Sequence, residues 1–150
     1  MSKITTIYDE AITLIEGVLP NHQRLANPYQ IEENPEIWLD QGYAVAIRTG
    51  VNTKRQISCR LSIERQISIV ITRKYYGNDA DASRKATTEK SLLEDQLLII
   101  NEFESQTPFS VSTKSEFVSD SGIVFVFSSE EKPFYMIEST FGIEYFENIS

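Results

Sequence analysis

The sequence predicts an α+β fold: a largely antiparallel, mixed β-sheet with one long helix packed across it and a short N-terminal helix. Two segments repeat apolar residues every three or four positions, as amphipathic helices do. The other segments alternate apolar and polar residues, as strands do. The 150 residues are 41% hydrophobic and 24% charged, an ordinary globular composition. No repeat or composition shift divides them, so we expect a single domain over 1–150.

The first helix is predicted over residues 4–18 and is followed by Pro20, which cannot continue it. Its apolar residues at helical spacing are Ile4, Ile7, Tyr8, Ala11, Leu14, Ile15 and Val18. We expect this face to join the core rather than form a groove for a partner. Thr6 with Asp9 three residues later resembles a capping box and is the expected N-cap.

Residues 20–42 carry three prolines and several large apolar side chains, which predicts an irregular but packed segment. Alternation then predicts strands over 43–48, 57–63 and 67–71. One continuous strand over 57–76 would span about 65 Å at ~3.3 Å per residue. Because that exceeds a domain of this size, we expect a break near 64–66 rather than a protruding β-arm.

A second helix is predicted over about 82–105, with Asp79 or Asp81 as N-cap and Pro108 beyond its end. The residues expected at the centre of its core-facing stripe are Ala86, Leu93, Leu97 and Ile100. The residues expected to flank that stripe are Leu92, Gln96, Ile99 and Phe103. Strands follow over 109–117 and 134–147, and the second has its odd-numbered apolar residues on one side: Tyr135, Ile137, Phe141, Ile143 and Tyr145. The apolar run 123–127 predicts a strand covered on both faces.

Charge is unevenly distributed along the chain. The net charge is −8, with 14 basic and 22 acidic residues, which argues against a general binder of nucleic acid or acidic membranes. Between Arg48 and Lys74, however, seven basic residues accompany one acid, a formal charge of +6 that leaves −14 for the remainder. We call 48–74 the basic segment. It is either a solvated strand face or a surface that docks on an acidic partner, including another copy of the chain.

The residues offer little for catalysis or metal binding. His22 is the only histidine and is expected on a surface loop, since a zinc site would need carboxylates alone to complete it. Cys59, the only cysteine, alternates with apolar neighbours and is expected in the core rather than as a nucleophile. No glycine pattern forms a phosphate loop. The sequence therefore predicts no enzyme, no cofactor and no metal, and no apolar leader for export.

Several segments in succession resemble one known family. They are 27–34 (NPYQIEEN), 39–47 (LDQGYAVAI), 52–55 (NTKR), 59–62 (CRLS), the strand over 67–76 and the helix over 89–103. Together they resemble the tail terminator proteins of long, non-contractile-tailed bacteriophages, most closely the T-five-like group. The resemblance covers most of the chain in the right order, and its specificity lies in that succession.

The resemblance implies a virion structural protein without catalytic activity, made in the host cytoplasm. Such proteins form a homohexameric ring on the head-proximal end of the tail tube. The ring stops tube polymerisation and presents the surface that joins the neck or head-completion protein. DNA passes through the lumen without specific binding, and no membrane is involved. The expected contacts to the next subunit or to the tube are Arg48, Lys54, Arg55, Arg60, Arg65 and Arg73.

Two other functions are compatible with the same sequence. A head-completion or neck protein of similar size could share the α+β plan and bind on the portal side. A small enzyme or ligand-binding domain, with a pocket between sheet and long helix, would show ligand-dependent thermal stabilisation.

Overall fold

The computed structural model describes residues 2–24, 41–47, 52–57, 60–74, 82–105, 109–126 and 134–148. Within these residues the chain forms two helices and seven strands, which confirms the α+β class. The helices are α1 (Lys3–Val18) and α2 (Ala82–Phe103). The strands are β1 (Gln23–Arg24), β2 (Gln41–Ile47), β3 (Asn52–Ile57), β4 (Arg60–Lys74), β5 (Ser112–Asp120), β6 (Val124–Val126) and β7 (Phe134–Asn148).

One mixed sheet contains all seven strands in the order β1-β2-β4-β7-β5, with β3 paired to β4 and β6 paired to β7. Only the short β1–β2 pair among them is parallel. The centre of the sheet is the β4–β7 ladder, in which the two strands pair from Arg60 with Asn148 to Lys74 with Phe134. Strands β2, β3, β5 and β6 each pair directly with β4 or β7.

The expected break near 64–66 is wrong, because β4 is continuous over 15 residues, about 50 Å at ~3.3 Å per residue. Its length is supported on both sides. β7 pairs with all of β4, while β2 pairs with 67–73 and β3 with 60–64 on the opposite side. The sheet therefore extends past the end of β2 as a β3–β4–β7 extension.

Odd-numbered residues of β4 and β7 face the helices and form the core, as the alternation predicted. Ile67 lies opposite Phe141 and Ile71 opposite Ile137, and all four are at most 1% exposed. The even face also holds buried side chains, including Val70. Burying such β-branched and aromatic side chains contributes roughly 1.5–3 kcal/mol each relative to full exposure.

Helix α1 packs Ile7, Ala11 and Ile15 into this core, which confirms the expected face. The expected cap is wrong: Ser2 is the N-cap and its hydroxyl accepts a hydrogen bond from the Thr5 backbone N–H at 3.4 Å. Ser2 has an extended backbone, as capping requires, whereas Thr6 lies inside the helix. The start of α1 is also joined to the end of β7, since Lys3 N–H donates to Glu147 Oε1 at 3.2 Å.

Helix α2 lies across the sheet, but it is rotated from the expected orientation. Its buried hydrophobic residues are Leu92, Ile99 and Phe103, which were expected as flanks. Leu93 and Leu97 from the expected central stripe are 45% and 55% exposed. The polar residues Asp95 and Gln96 are buried on the sheet-facing side instead.

The expectation that residues 123–127 form a strand covered on both faces is wrong for the described strand β6. It is a three-residue edge strand paired only with β7 among the described strands, and Val124 and Phe125 are exposed, so it is not covered on both faces. Several other expectations lie outside the described residues: most of the packed segment 20–42, the core position of Cys59, the α2 caps at Asp79 or Asp81, and Pro108.

Candidate functional site

The basic segment follows the β3–β4 hairpin and then the rest of β4. Arg48 lies outside the described residues. On β3, Arg55 is in register with Ser62, and Lys54 falls at an irregularity in the pairing between 53 and 55. Arg60, Arg65 and Arg73 lie on β4 with described side chains, and these three have different surroundings.

Arg60 begins β4 and its side chain is the most accessible of the three. The residue is exposed, and its guanidinium lies 4.7 Å from the ring centroid of Phe146 on the neighbouring β7. A cation over an aromatic face contributes roughly 0.5–1 kcal/mol at an exposed site. The contact orients the guanidinium and leaves its outer N–H groups able to meet an acidic partner.

Arg65 and Arg73 lie on the opposite, helix-facing side of the strand. The Arg65 Nε donates to the Tyr145 hydroxyl at 3.4 Å, a long contact between half-buried and buried residues. Arg73 donates from Nε to Asp95 Oδ2 at 2.7 Å and from Nη2 to Oδ1 at 3.0 Å. This two-bond geometry is the strong form of an arginine–carboxylate pair. The fold thus gives Arg73 an intramolecular role, which the sequence pattern did not reveal.

Asp95 is shared between Arg73 and His22, and the three form what we call the ionic triad. His22 Nε2 lies 3.2 Å from Asp95 Oδ2, and the side chains of His22 and Asp95 are 2% and 7% exposed. The expected surface position of His22 is therefore wrong. The chain leaves α1 through Leu19, whose carbonyl accepts from the His22 N–H at 3.1 Å, and this turn carries the imidazole beneath α2.

The electrostatics of the triad favour an ionised carboxylate. Burial of Asp95 raises its pKa, but hydrogen bonds from His22 and Arg73 and their positive charge act in the opposite direction. The pKa of Asp95 is lowered as a result. Asp95 is therefore a fixed negative charge that holds β4, α2 and the segment after α1 together.

A second polar contact lies beside the triad. Gln96 Nε2 donates to Asp120 Oδ2 at 2.9 Å and to Ser139 Oγ at 3.0 Å. Buried polar groups are costly unless they are paired, and Asp95 and Gln96, the polar side chains buried in the described part of α2, both have partners. The arrangement joins α2 to the sheet through hydrogen bonds as well as apolar packing.

Burial also affects Tyr43 on β2. Desolvation raises the pKa of this phenol, and the hydrogen bond that its hydroxyl donates to Glu16 Oε1 at 2.9 Å raises it further. Tyr43 is therefore a neutral donor that joins β2 to α1.

The described residues supply no cluster of three or more histidine, cysteine, aspartate or glutamate side chains suited to a metal ion. Within the same part of the chain, neither helix has a stretch that is both long and apolar enough to cross a bilayer. Among the described residues, the candidate site is therefore the exposed start of β4 at Arg60. The triad is a buried structural element next to the same strand.

No protein-family model matches the sequence, and no curated protein matches it at a significant level.

Proposed function

We propose that this protein is a phage tail terminator. It would form a homohexameric ring on the head-proximal end of a tail tube, stop polymerisation of the tube and present the surface for joining to the neck. The protein acts by geometry and carries out no reaction. The resemblance of successive sequence segments supplies the specific assignment, and the structure adds a surface suited to docking.

The observation that carries the proposal is the concentration of basic residues in one segment of the chain, with Arg60 exposed at the start of β4. The basic segment has a formal charge of +6 in a chain of net charge −8. Arg60 is exposed at the start of β4, at the tip of the β3–β4–β7 extension that continues beyond β2. An exposed arginine on an otherwise acidic chain favours one orientation on an acidic partner surface, because the reverse orientation brings like charges together.

Such contacts set orientation more than affinity. Exposed ion pairs contribute about 0–1 kcal/mol each, so apolar contacts must provide most of the binding free energy. The acidic remainder of the chain also suits a lumen through which DNA passes, since negative potential repels phosphates. A ring of this kind would contact DNA without retaining it.

Cryo-electron microscopy of intact virions that carry this chain tests the proposal. Six copies in one ring between the last tube ring and the neck would support it. Copies located above the neck would favour the head-completion or neck function instead. Absence from the particle would contradict both virion functions, and a thermal-shift screen for stabilising ligands would then test the binding-domain alternative.

A matched pair of variants tests the role of charge. Arg60→Glu reverses the exposed charge, whereas Arg60→Lys keeps it but loses the planar guanidinium. We expect tails assembled with the glutamate variant to be overlong or uncapped, and tails with the lysine variant to be close to normal length. Normal tail lengths with both variants would remove Arg60 from the proposed docking surface.

A further inference from the structure

Strand β5 forms one outer edge of the sheet. It ends the strand order and, among the described strands, pairs only with β7. Lys114, Glu116 and residues 118–120 are exposed along it. A strand at the edge of a sheet presents N–H and C=O groups with which a strand of another molecule can pair. The contacts made by these outward backbone groups therefore decide whether a second strand can add to β5.

Phe117 shows which backbone groups of β5 face outward. Its N–H donates to Glu104 Oε1 at 2.9 Å, so this group points away from β7. Ser115 is in register with Ile143 and Phe117 with Phe141, with no irregularity between the two pairs. Because alternate residues of a strand direct their backbone groups to the same side, the Ser115 N–H faces the outer edge as well. Glu104 therefore binds one of two outward N–H groups in this stretch.

Glu104 occupies the place that a carbonyl group of an added strand would take. Its own N–H donates to the Ile100 carbonyl at 2.9 Å, which continues the hydrogen-bond pattern of α2 and fixes the Glu104 backbone. A carboxylate that accepts from a backbone N–H makes a stronger bond than a neutral acceptor does. An added strand must therefore displace Glu104 from Phe117 before it can pair at this position.

Pairing along β5 is restricted to a short stretch. The register with β7 shifts between 112 and 114 and again between 117 and 119, and such irregularities twist an edge away from a flat partner. The regular stretch 114–117 contains Ser115, whose Oγ is buried without a hydrogen-bond partner in the described part of the chain. A buried hydroxyl without a partner is costly, so a strand that supplies one is favoured here.

A second copy of this chain supplies such a strand. In an antiparallel β5–β5 pair centred on Ser115, the two Ser115 side chains lie directly opposite, within reach of a mutual hydrogen bond. Lys114 of each copy then lies opposite Glu116 of the other. These two side chains already pair within one strand at 3.3 Å, so the new contact exchanges partners and leaves neither charge alone. A pair centred on Glu116 would instead place two glutamates opposite each other, which is unfavourable.

We infer that β5 is a pairing edge for β5 of a second copy and that Glu104 caps this edge in the isolated chain. Phe117 lies two residues from the centre of such a pair, so its N–H must leave Glu104 as the strands join. Each copy carries one cap, so joining two sheets breaks two of these bonds. The cap thereby keeps free copies from merging their sheets. It does so independently of the proposed function, because neither the basic segment nor a tail tube is involved.

Sedimentation velocity over a concentration series tests the cap. Glu104→Ala removes the acceptor and should lower the dissociation constant of the dimer several-fold relative to the wild type. Glu104→Gln keeps an acceptor oxygen and should remain closer to the wild type. Glu102→Ala removes the same charge from the last turn of α2 and should match the wild type.

A proline and amide hydrogen exchange identify β5 as the contact. Ser115→Pro, added to Glu104→Ala, removes an outward N–H that makes no bond to β7, a position at which edge strands tolerate proline. The double variant should return to the wild-type dissociation constant. In Glu104→Ala at low concentration, the Phe117 amide should exchange faster than in the wild type. At high concentration, the Ser115 and Phe117 amides of Glu104→Ala should both become protected.

Three outcomes overturn the inference. Equal dissociation constants for Glu104→Ala, Glu102→Ala and the wild type would show that Glu104 is not a cap. A Glu104→Ala dimer that resists Ser115→Pro, or in which the Ser115 and Phe117 amides stay unprotected, would place the contact on another surface. Protection of the Ser115 amide in the wild type at low concentration would show that Glu104 does not hold this edge open to solvent and unpaired.

Discussion

Asp95 connects three parts of the chain that are distant in sequence. It accepts two hydrogen bonds from Arg73 on β4 and lies 3.2 Å from His22, which follows α1. An uncompensated charge in a buried site is costly, so each member of the triad depends on the others. This dependence makes Asp95 the residue at which a small chemical change should have the largest effect.

Asp95→Asn should lower the free energy of unfolding by about 2–3 kcal/mol. This lies below the ~3–5 kcal/mol typical of breaking a fully buried pair, because the Arg73 side chain is 25% exposed. Glu94→Gln is the matched control: the neighbouring residue is exposed, and its substitution should change stability by less than about 0.5 kcal/mol. Urea unfolding measures both. Equal effects would show that the triad contributes nothing specific.

The pH dependence of stability should depend on the same carboxylate. The folded-state pKa of Asp95 is lowered, so its contribution is present above the unfolded pKa of about 3.9 and is lost as the pH falls through the folded pKa. Between about pH 5 and pH 2, the urea midpoint of the wild type should therefore fall further than that of Asp95→Asn. Parallel curves for the two proteins would contradict this assignment.

Substitution of Arg60 should affect function with little effect on stability, whereas substitution of Arg73 should lower stability, although both arginines lie on β4 in the basic segment. Arg60→Gln should lower the melting temperature by no more than about 4 °C, since an exposed cation–π contact contributes only ~0.5–1 kcal/mol. Arg73→Gln should lower the melting temperature several-fold more than Arg60→Gln, because the substitution leaves Asp95 without its two-bond partner. Differential scanning calorimetry of both variants gives the comparison. A larger loss for Arg60→Gln would mean that Arg60 is structural.

At the scale of elements, the orientation of α2 gives the sharpest test of the fold. Leu92 is fully buried and its neighbour Leu93 is 45% exposed. Leu92→Ala should cost about 2–5 kcal/mol, as large-to-small core substitutions do, whereas Leu93→Ala should cost less than about 0.5 kcal/mol. Urea midpoints compare them directly. A larger loss for Leu93→Ala would mean that the helix packs through its other side.

The same helix shows where sequence patterns stop being decisive. In β7 a single alternation is present, so the odd residues were assigned correctly to the core. Helix α2 has apolar residues on two sides, and periodicity alone favoured the side with Leu93 and Leu97. The observed side is selected by Arg73 and His22, which reach Asp95 from other elements. Such partners are distant in sequence and invisible to a local pattern.

The predictions of the break in β4 and of the N-cap of α1 were wrong for related reasons. The expected break in β4 came from comparing one strand with an average domain, whereas β2, β3 and β7 together support its full length. At α1 both Ser2 and Thr6 are residue types that cap helices, and the extended backbone at Ser2 decides between them. In each case the deciding feature, a partner strand or the backbone conformation, lies outside the local residue pattern.

At the scale of the whole molecule, the candidate site was only partly predictable. The basic segment follows directly from counting charges, and much of it forms β4. The count could not show that Arg60 is exposed over Phe146 while Arg73 is paired with Asp95. Adjacent strand positions face opposite sides of a sheet, so residues of one basic segment can serve a surface and the interior separately.

The chain should also unfold as one cooperative unit. Both helices and the central strands contribute to a single apolar cluster, in which Ile15, Phe103 and Phe141 are all fully buried. Phe103 contacts Phe141 at a ring-centroid distance of 4.7 Å, joining α2 to β7. A 150-residue domain that unfolds in two states should absorb roughly 105 kcal/mol near 60 °C, with equal calorimetric and van't Hoff enthalpies. Leu92→Ala should move this transition without dividing it, because the helix cannot detach while the shared core remains. Two separate transitions, or a van't Hoff enthalpy well below the calorimetric value, would show that 1–150 is more than one folding unit.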